Sequence, residues 1–183
     1  MHRRTVLAAL STTLATGSIM SADAADLENT LYLELKDGRV VIQLFPDVAP
    51  NHVARVKELA RAKFYDGIVF HRVIEGFMAQ TGDPTGTGTG GSKLGNVKAE
   101  FGRAKHFLRG TVGAARSGDP DSADSQFFIM FAPATHLDGQ YTIWGQVTSG
   151  MELVDKIKRG VGGGGTVSGP DKIITMRVAA DVK

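Results

Sequence analysis

Strict two-residue alternation over residues 31–44 constrains this chain more than any other feature. Leu31, Leu33 and Leu35 alternate with Tyr32, Glu34 and Lys36; Asp37-Gly38 follows; then Val40, Ile42 and Leu44 alternate again. A period of two places the aliphatic side chains on one face of a pleated ribbon. Asp-Gly tolerates the positive φ of a tight two-residue hairpin turn, so the pattern predicts an antiparallel hairpin turning at Asp37-Gly38. Short strand-like runs recur at 70–74, 78–81, 110–115, 127–131, 141–147 and 172–179, the last with Ile174, Met176 and Val178 on one face. Helical spacing appears twice. Val53, Val56 and Ala60 follow Pro50 and stop before Tyr65-Asp66-Gly67, and Met151, Val154 and Ile157 run from near Ser149 to Gly160. About eight strands and two helices in 183 residues, 42% of them hydrophobic, predict one domain around one core. The sheet should be mostly antiparallel, and the pattern leaves barrel and sandwich both open.

Residues 1–24 have the layout of a signal peptide: Arg3 and Arg4, the apolar Val6 to Leu10, then Ala22-Asp23-Ala24 as a small-residue cleavage site. The apolar run is too short to span a bilayer. Arg3-Arg4 with hydrophobic residues close behind also resembles a twin-arginine signal. The expected organisation is therefore a leader over 1–24, a domain over 25–183, and a periplasmic or secreted mature protein. Losing Arg3, Arg4 and Asp23 from 21 basic and 19 acidic side chains leaves a formal charge near +1. That balance gives no reason to expect nucleic acid or a membrane surface as a partner. The chain has no cysteine, so neither disulfides nor thiolate metal sites are available.

Most catalytic chemistries find no pattern here. There is no G-x-S-x-G elbow, and His2, His52, His71, His106 and His136 are scattered without metal-ligand spacing. Gly86, Gly88 and Gly91 form a formal G-x-G-x-x-G, but no amphipathic helix follows, and Ser92 precedes Lys93 rather than following it. A surface loop is the better reading. Asp119, Asp121 and Asp124 lack the glycine and terminal glutamate of a calcium loop, Trp144 is assigned to the core, and Gly162 to Gly165 to a flexible loop.

Two stretches bring polar and apolar groups together. Phe70 to Asp83 reads as strand, turn at Glu75-Gly76, and strand; Phe70 and Arg72 share one face, as do Met78 and Gln80. In Ser125 to Met130, Gln126 and Phe128 take one face while Phe127 and Ile129 take the other. One face is core and the other a candidate site.

FHRVIEGFMAQTGD, GTGTGG, SQFFI and HLDGQYTIWGQV, in this order and over about residues 29–180, resemble the cyclophilins, which are peptidyl-prolyl cis-trans isomerases. AARSGDPDSADSQFF is similar to the bacterial branch, and the leader over 1–24 points to an exported member of it. The resemblance implies an eight-stranded antiparallel closed barrel capped by two α-helices, with the substrate site on the outer wall. It implies isomerisation of X-Pro bonds in unfolded or exported proteins, without cofactor or metal, by a monomer. Matched position by position, Arg72 is the catalytic arginine. Phe77, Met78, Phe128 and Leu137 match the proline pocket, Gln80 and Gln126 the orienting amides, and Ala115 and Arg116 the strand end that pairs with the peptide. His136 stands where many cytosolic eukaryotic cyclophilins have tryptophan, which implies weaker cyclosporin binding. Tyr141 and Arg116 replace a common histidine and asparagine. Two other classes stay open: a peptide-holding module without catalysis, and nucleotide binding at the glycine loop.

Overall fold

The computed structural model describes residues 26–183; the expected leader over 1–24 lies outside them. Eight strands form one curled antiparallel sheet: β1 (Thr30–Leu35), β2 (Gly38–Leu44), β3 (Arg72–Ile74), β4 (Met78–Thr81), β5 (Thr111–Ala114), β6 (Phe127–Met130), β7 (Ile143–Ser149) and β8 (Thr175–Val178). Their order across the sheet is β3-β4-β6-β5-β7-β2-β1-β8, and the curl makes a half-barrel. Beyond the edge strands, Phe70 N donates to Asp171 O (2.9 Å), Gly67 N to Ile173 O (2.8 Å) and Ile173 N to Ile68 O (2.9 Å). These bonds tie the run before β3 to the run before β8.

The first hairpin forms as its alternation predicts, with Leu31, Leu33, Val40 and Ile42 fully buried. Its turn is displaced by one residue. Leu35 pairs with Gly38, so Lys36-Asp37 make the turn and Gly38, at φ 139°, opens β2. The aliphatic face sets this register, because a one-residue slip would turn every leucine to water.

Helix α1 (Pro50–Arg61) buries Val53, Val56, Leu59 and Ala60. Its N-cap, Ala49, has no capping side chain; the amides of Asn51 and His52 instead donate to the Glu100 carboxylate at 3.0 Å each. A carboxylate there satisfies otherwise unpaired N–H groups and faces the positive end of the helix. The second helix is shorter than its spacing predicts: α2 covers only Met151–Val154, after Gly150 at φ 82°. Ile157 is still buried, reached through turns instead of a further helical turn. None of the helices among the described residues is long and apolar enough to cross a membrane.

The main core takes the inward residues of the sheet: Val73, Ala79, Val112, Phe127, Ile129 and Met176, with Trp144 edge-on to Phe127 at 5.5 Å. Two faces differ from the alternation. Phe70 joins this interior core rather than the face of Arg72, because residues 68–70 pair with 171–173 before the chain crosses over to pair with β4. Ile174 is 48% exposed while Ile173 is fully buried, since the chain bends at 174 before β8 begins.

Candidate active site

A single row of cross-strand neighbours runs over the outer wall. Arg72 on β3 faces Gln80 on β4, Gln80 faces Phe128 on β6, and Phe128 faces Gly113 on β5. The inward neighbours of this row are core, so alternation alone sends these four outward. Gly113 is required by close packing: a Cβ there would meet Phe107 Cε1 and Phe128 Cζ at 2.7 Å each. The space it leaves lets Phe107 and Phe128 stack at 5.6 Å, with Tyr141 edge-on to Phe128 at 5.8 Å. Met78, Met130, Ala115 and Ile143 complete a second apolar cluster outside the main core.

This cluster floors an open cleft of about 170 Å³. Arg72, Gln80 and Arg116 are its polar rim; Phe77, Met78, Phe128, Leu137, Tyr141 and Ala115 are its apolar walls. Nine of the eleven residues singled out from the sequence thus converge. The other two stand beside the cleft rather than in its lining. His136 stacks on Phe77 with ring centroids 6.2 Å apart, in the 3-10 turn Thr135–Leu137, and Gln126 reaches the glycine loop.

The arginine is held at two points. Nη1 donates to Gln80 Oε1 at 3.1 Å and Nε to Gly164 O at 3.0 Å, and Nη2 has no protein partner among the described residues. Guanidinium only donates, which fixes the sense of the next two amides. Gln80 Nε2 donates to Gln126 Oε1 at 2.9 Å, and Gln126 Nε2 to Gly90 O at 2.8 Å and Gly88 O at 3.1 Å. Gly162 to Gly165, read from the sequence as a flexible loop, is therefore tied to this arginine.

The 82–95 loop is organised by Asp83. Its carboxylate accepts from Thr85 N (2.7 Å), Gly88 N (2.6 Å) and Gly90 N (3.1 Å). Burial raises its pKa, but these bonds and that from the Thr85 hydroxyl outweigh burial and bring it down to about 2. The amides that a phosphate would need are already occupied by an internal anion. Beneath the loop lies His71, buried, with neither ring nitrogen hydrogen-bonded. A second cavity of about 340 Å³ adjoins the cleft and shares Gln80, Ala115 and Arg116 with it. Gly88 to Gly90, Ser117 and Ser122 line it as well. Sequence reasoning missed these residues because a loop without periodicity gives no signal of what it faces.

The cleft's lining contains no serine, lysine, histidine or carboxylate, and no cluster of potential metal ligands occurs among the described residues. The arrangement suits binding an apolar group beside a fixed hydrogen-bond donor rather than bond cleavage.

A family model described as "Cyclophilin type peptidyl-prolyl cis-trans isomerase/CLD" matches residues 30–178. The chain belongs to the cyclophilins. It is a cyclophilin-type peptidyl-prolyl cis-trans isomerase, EC 5.2.1.8. A probable peptidyl-prolyl cis-trans isomerase of Brucella suis is 50% identical over 193 residues, covering 99% of this chain and 98% of that protein. Peptidyl-prolyl cis-trans isomerase B of Bacillus subtilis is 43% identical over 133 residues, 72% of this chain and 92% of its own. Among solved structures, a cyclophilin from Hirschia baltica superposes with a TM-score of 0.76 at 27% identity, covering 86% of this chain and 76% of that one. A Cryptosporidium parvum cyclophilin, crystallised in the presence of the dipeptide Ala-Pro, superposes with a TM-score of 0.76 at 25% identity, covering 81% of this cyclophilin and 98% of its own chain.

Proposed function

We propose that the cleft seats the proline ring of an X-Pro segment and that Arg72 stabilises the twisted amide. The barrier to rotation, about 18–20 kcal/mol, comes from amide resonance. Twisting breaks that resonance and returns a lone pair to the proline nitrogen. A guanidinium N–H then donates to that nitrogen or steadies the adjacent carbonyl, and no covalent intermediate forms. Raising a rate from ~0.01 to ~1000 per second takes roughly 7 kcal/mol, at about 1.4 kcal/mol per decade. The observation carrying this reading is Arg72 fixed by Gln80 and Gly164, with Nη2 unpartnered among the described residues, over the apolar floor of Met78 and Phe128. A donor already oriented beside water-excluding walls costs no reorganisation during the twist.

The Ala-Pro dipeptide used with the Cryptosporidium relative supports proline-containing peptides as substrates. The leader-like residues 1–24 support assistance to folding of exported proteins in the periplasm or outside the cell; a monomer is the proposed state. We read the bonds between 67–70 and 171–173 as the seam of a closed barrel, which leaves only the outer wall for substrate. His136, smaller than tryptophan, favours weak cyclosporin binding; tight inhibition of the mature protein would contradict this.

Exchange NMR on a short X-Pro peptide, comparing the mature domain with Arg72→Ala at matched fold stability, tests the mechanism. The parent should accelerate exchange, and the variant should lose most of that acceleration while still binding. Binding without acceleration by either protein would replace catalysis with peptide holding.

A further inference from the structure

We infer that Arg116 makes the cleft selective for peptides carrying a carboxylate next to the X-Pro bond; the inference rests on the cleft being the isomerase site. Six of the nine arginines in the described residues sit within 4.0 Å of an acidic side chain: Arg39, Arg55, Arg61, Arg109, Arg159 and Arg177. The other three have no such partner among the described residues: Arg103, exposed and outside the lining, and Arg72 and Arg116, both at the cleft.

Neutral groups hold Arg116 in place. Nε and Nη2 donate to Gln140 O at 3.1 and 2.9 Å, Nη1 donates to Ser117 O at 2.8 Å, and the guanidinium lies 4.5 Å over the Tyr141 ring. Carbonyls and an aromatic face fix the geometry without cancelling the charge. Carboxylates near this rim are engaged elsewhere. Asp124, on the adjoining cavity, pairs with Arg55 Nη1 at 2.7 Å; Asp121 and Asp119 keep their charge but accept from Ala99 N and Asp121 N, respectively, and neither comes within ion-pair distance of Arg116. Arg116 lines both cavities, so residues on either side of the seated proline pass a preorganised positive charge. Such a charge favours an acidic side chain and repels a basic one.

The test uses Ala-Ala-Pro-Ala-type peptides with Glu, Gln or Lys placed singly at each position flanking proline. Both kcat/KM by exchange NMR and Kd by chemical-shift titration are measured. At low salt the parent should prefer Glu over Lys by about two- to fivefold at one or more positions, the range of partly exposed ion pairs. The ratio should shrink with added salt. Arg116→Lys should keep the preference, and Arg116→Gln should reduce the ratio to the smaller value that the Arg72 charge alone sets. Equal Kd values for Glu and Lys peptides in the parent, or an unchanged ratio in Arg116→Gln, would overturn the inference. Charge-selective binding without accelerated exchange of the neutral Gln peptide would support Arg116 selectivity and count against the catalytic reading alone.

Discussion

Arg72 and Gln80 are direct cross-strand partners on β3 and β4, and the same pair is joined side chain to side chain, Nη1 to Oε1, at 3.1 Å. Backbone pairing therefore aims the cation that the proposed mechanism uses, and Gln126 and the glycine loop hold the amide that steadies it. Gln80→Ala should keep the fold and lower kcat/KM about three- to tenfold, the equivalent of one hydrogen bond of about 1 kcal/mol. Exchange kinetics together with a urea midpoint separate this from loss of stability. An unchanged kcat/KM would show that Gly164 alone suffices to hold Arg72.

Gly113 is the point at which a methyl group should reach the site without touching substrate. Gly113→Ala forces Phe107 and Phe128 apart, since both lie 2.7 Å from the new carbon. Overpacking of this kind costs about 1–3 kcal/mol. The floor of the cleft should deform, raising KM more than it lowers kcat; a KM within error of the parent's would contradict the close packing described.

Asp83 gives the chain a specific acid sensitivity. Its pKa, lowered to about 2 from an ordinary 3.8, contributes stability that is complete above about pH 4 and lost as pH falls through about 2. The difference is worth roughly 2 kcal/mol. Asp83→Asn should lose about that much at pH 7 and show a flatter acid-unfolding curve between pH 4 and 2. Parallel curves for parent and variant would count against the carboxylate as organiser of the loop.

His71 acts in the next pH range up. Burial lowers its pKa; the nearby Asp83 carboxylate opposes the shift and the Arg72 charge adds to it. A base whose folded pKa lies below its unfolded value near 6.5 stabilises fully above that value, and its contribution is lost as pH falls below it. His52, also lowered by burial, works in the same direction. Urea midpoints at pH 7.5 and 5.5 should therefore drop for the parent and drop less for His71→Gln. Equal drops would place the sensitivity at His52 or elsewhere.

The period-two alternation determined which residues face the core and which face outward, because side-chain direction in a strand is a local property. Phe127 and Ile129 went in while Phe128 went out, on opposite faces as the alternation predicts, and Val73 and Ala79 went in beside the outward Arg72 and Gln80. Where local pairing changes partner, the same rule failed: Phe70 and Ile174 both sit beside bends where the chain passes from one neighbour to another. Tertiary structure alone decided which outward residues meet. Arg72 and Gly164 are 92 positions apart, joined where the 162–165 loop lies along β3, and Gln80 and Gln126 are 46 apart, brought together by pairing of the non-consecutive β4 and β6. The carbonyl behind the arginine and the Gln140 carbonyl that orients Arg116 arise from such long-range juxtapositions, whereas the Asp83 anion under the glycine loop is a local arrangement. Periodicity fixes the face of each residue; only the pairing order of the strands in the curled sheet fixes its neighbour.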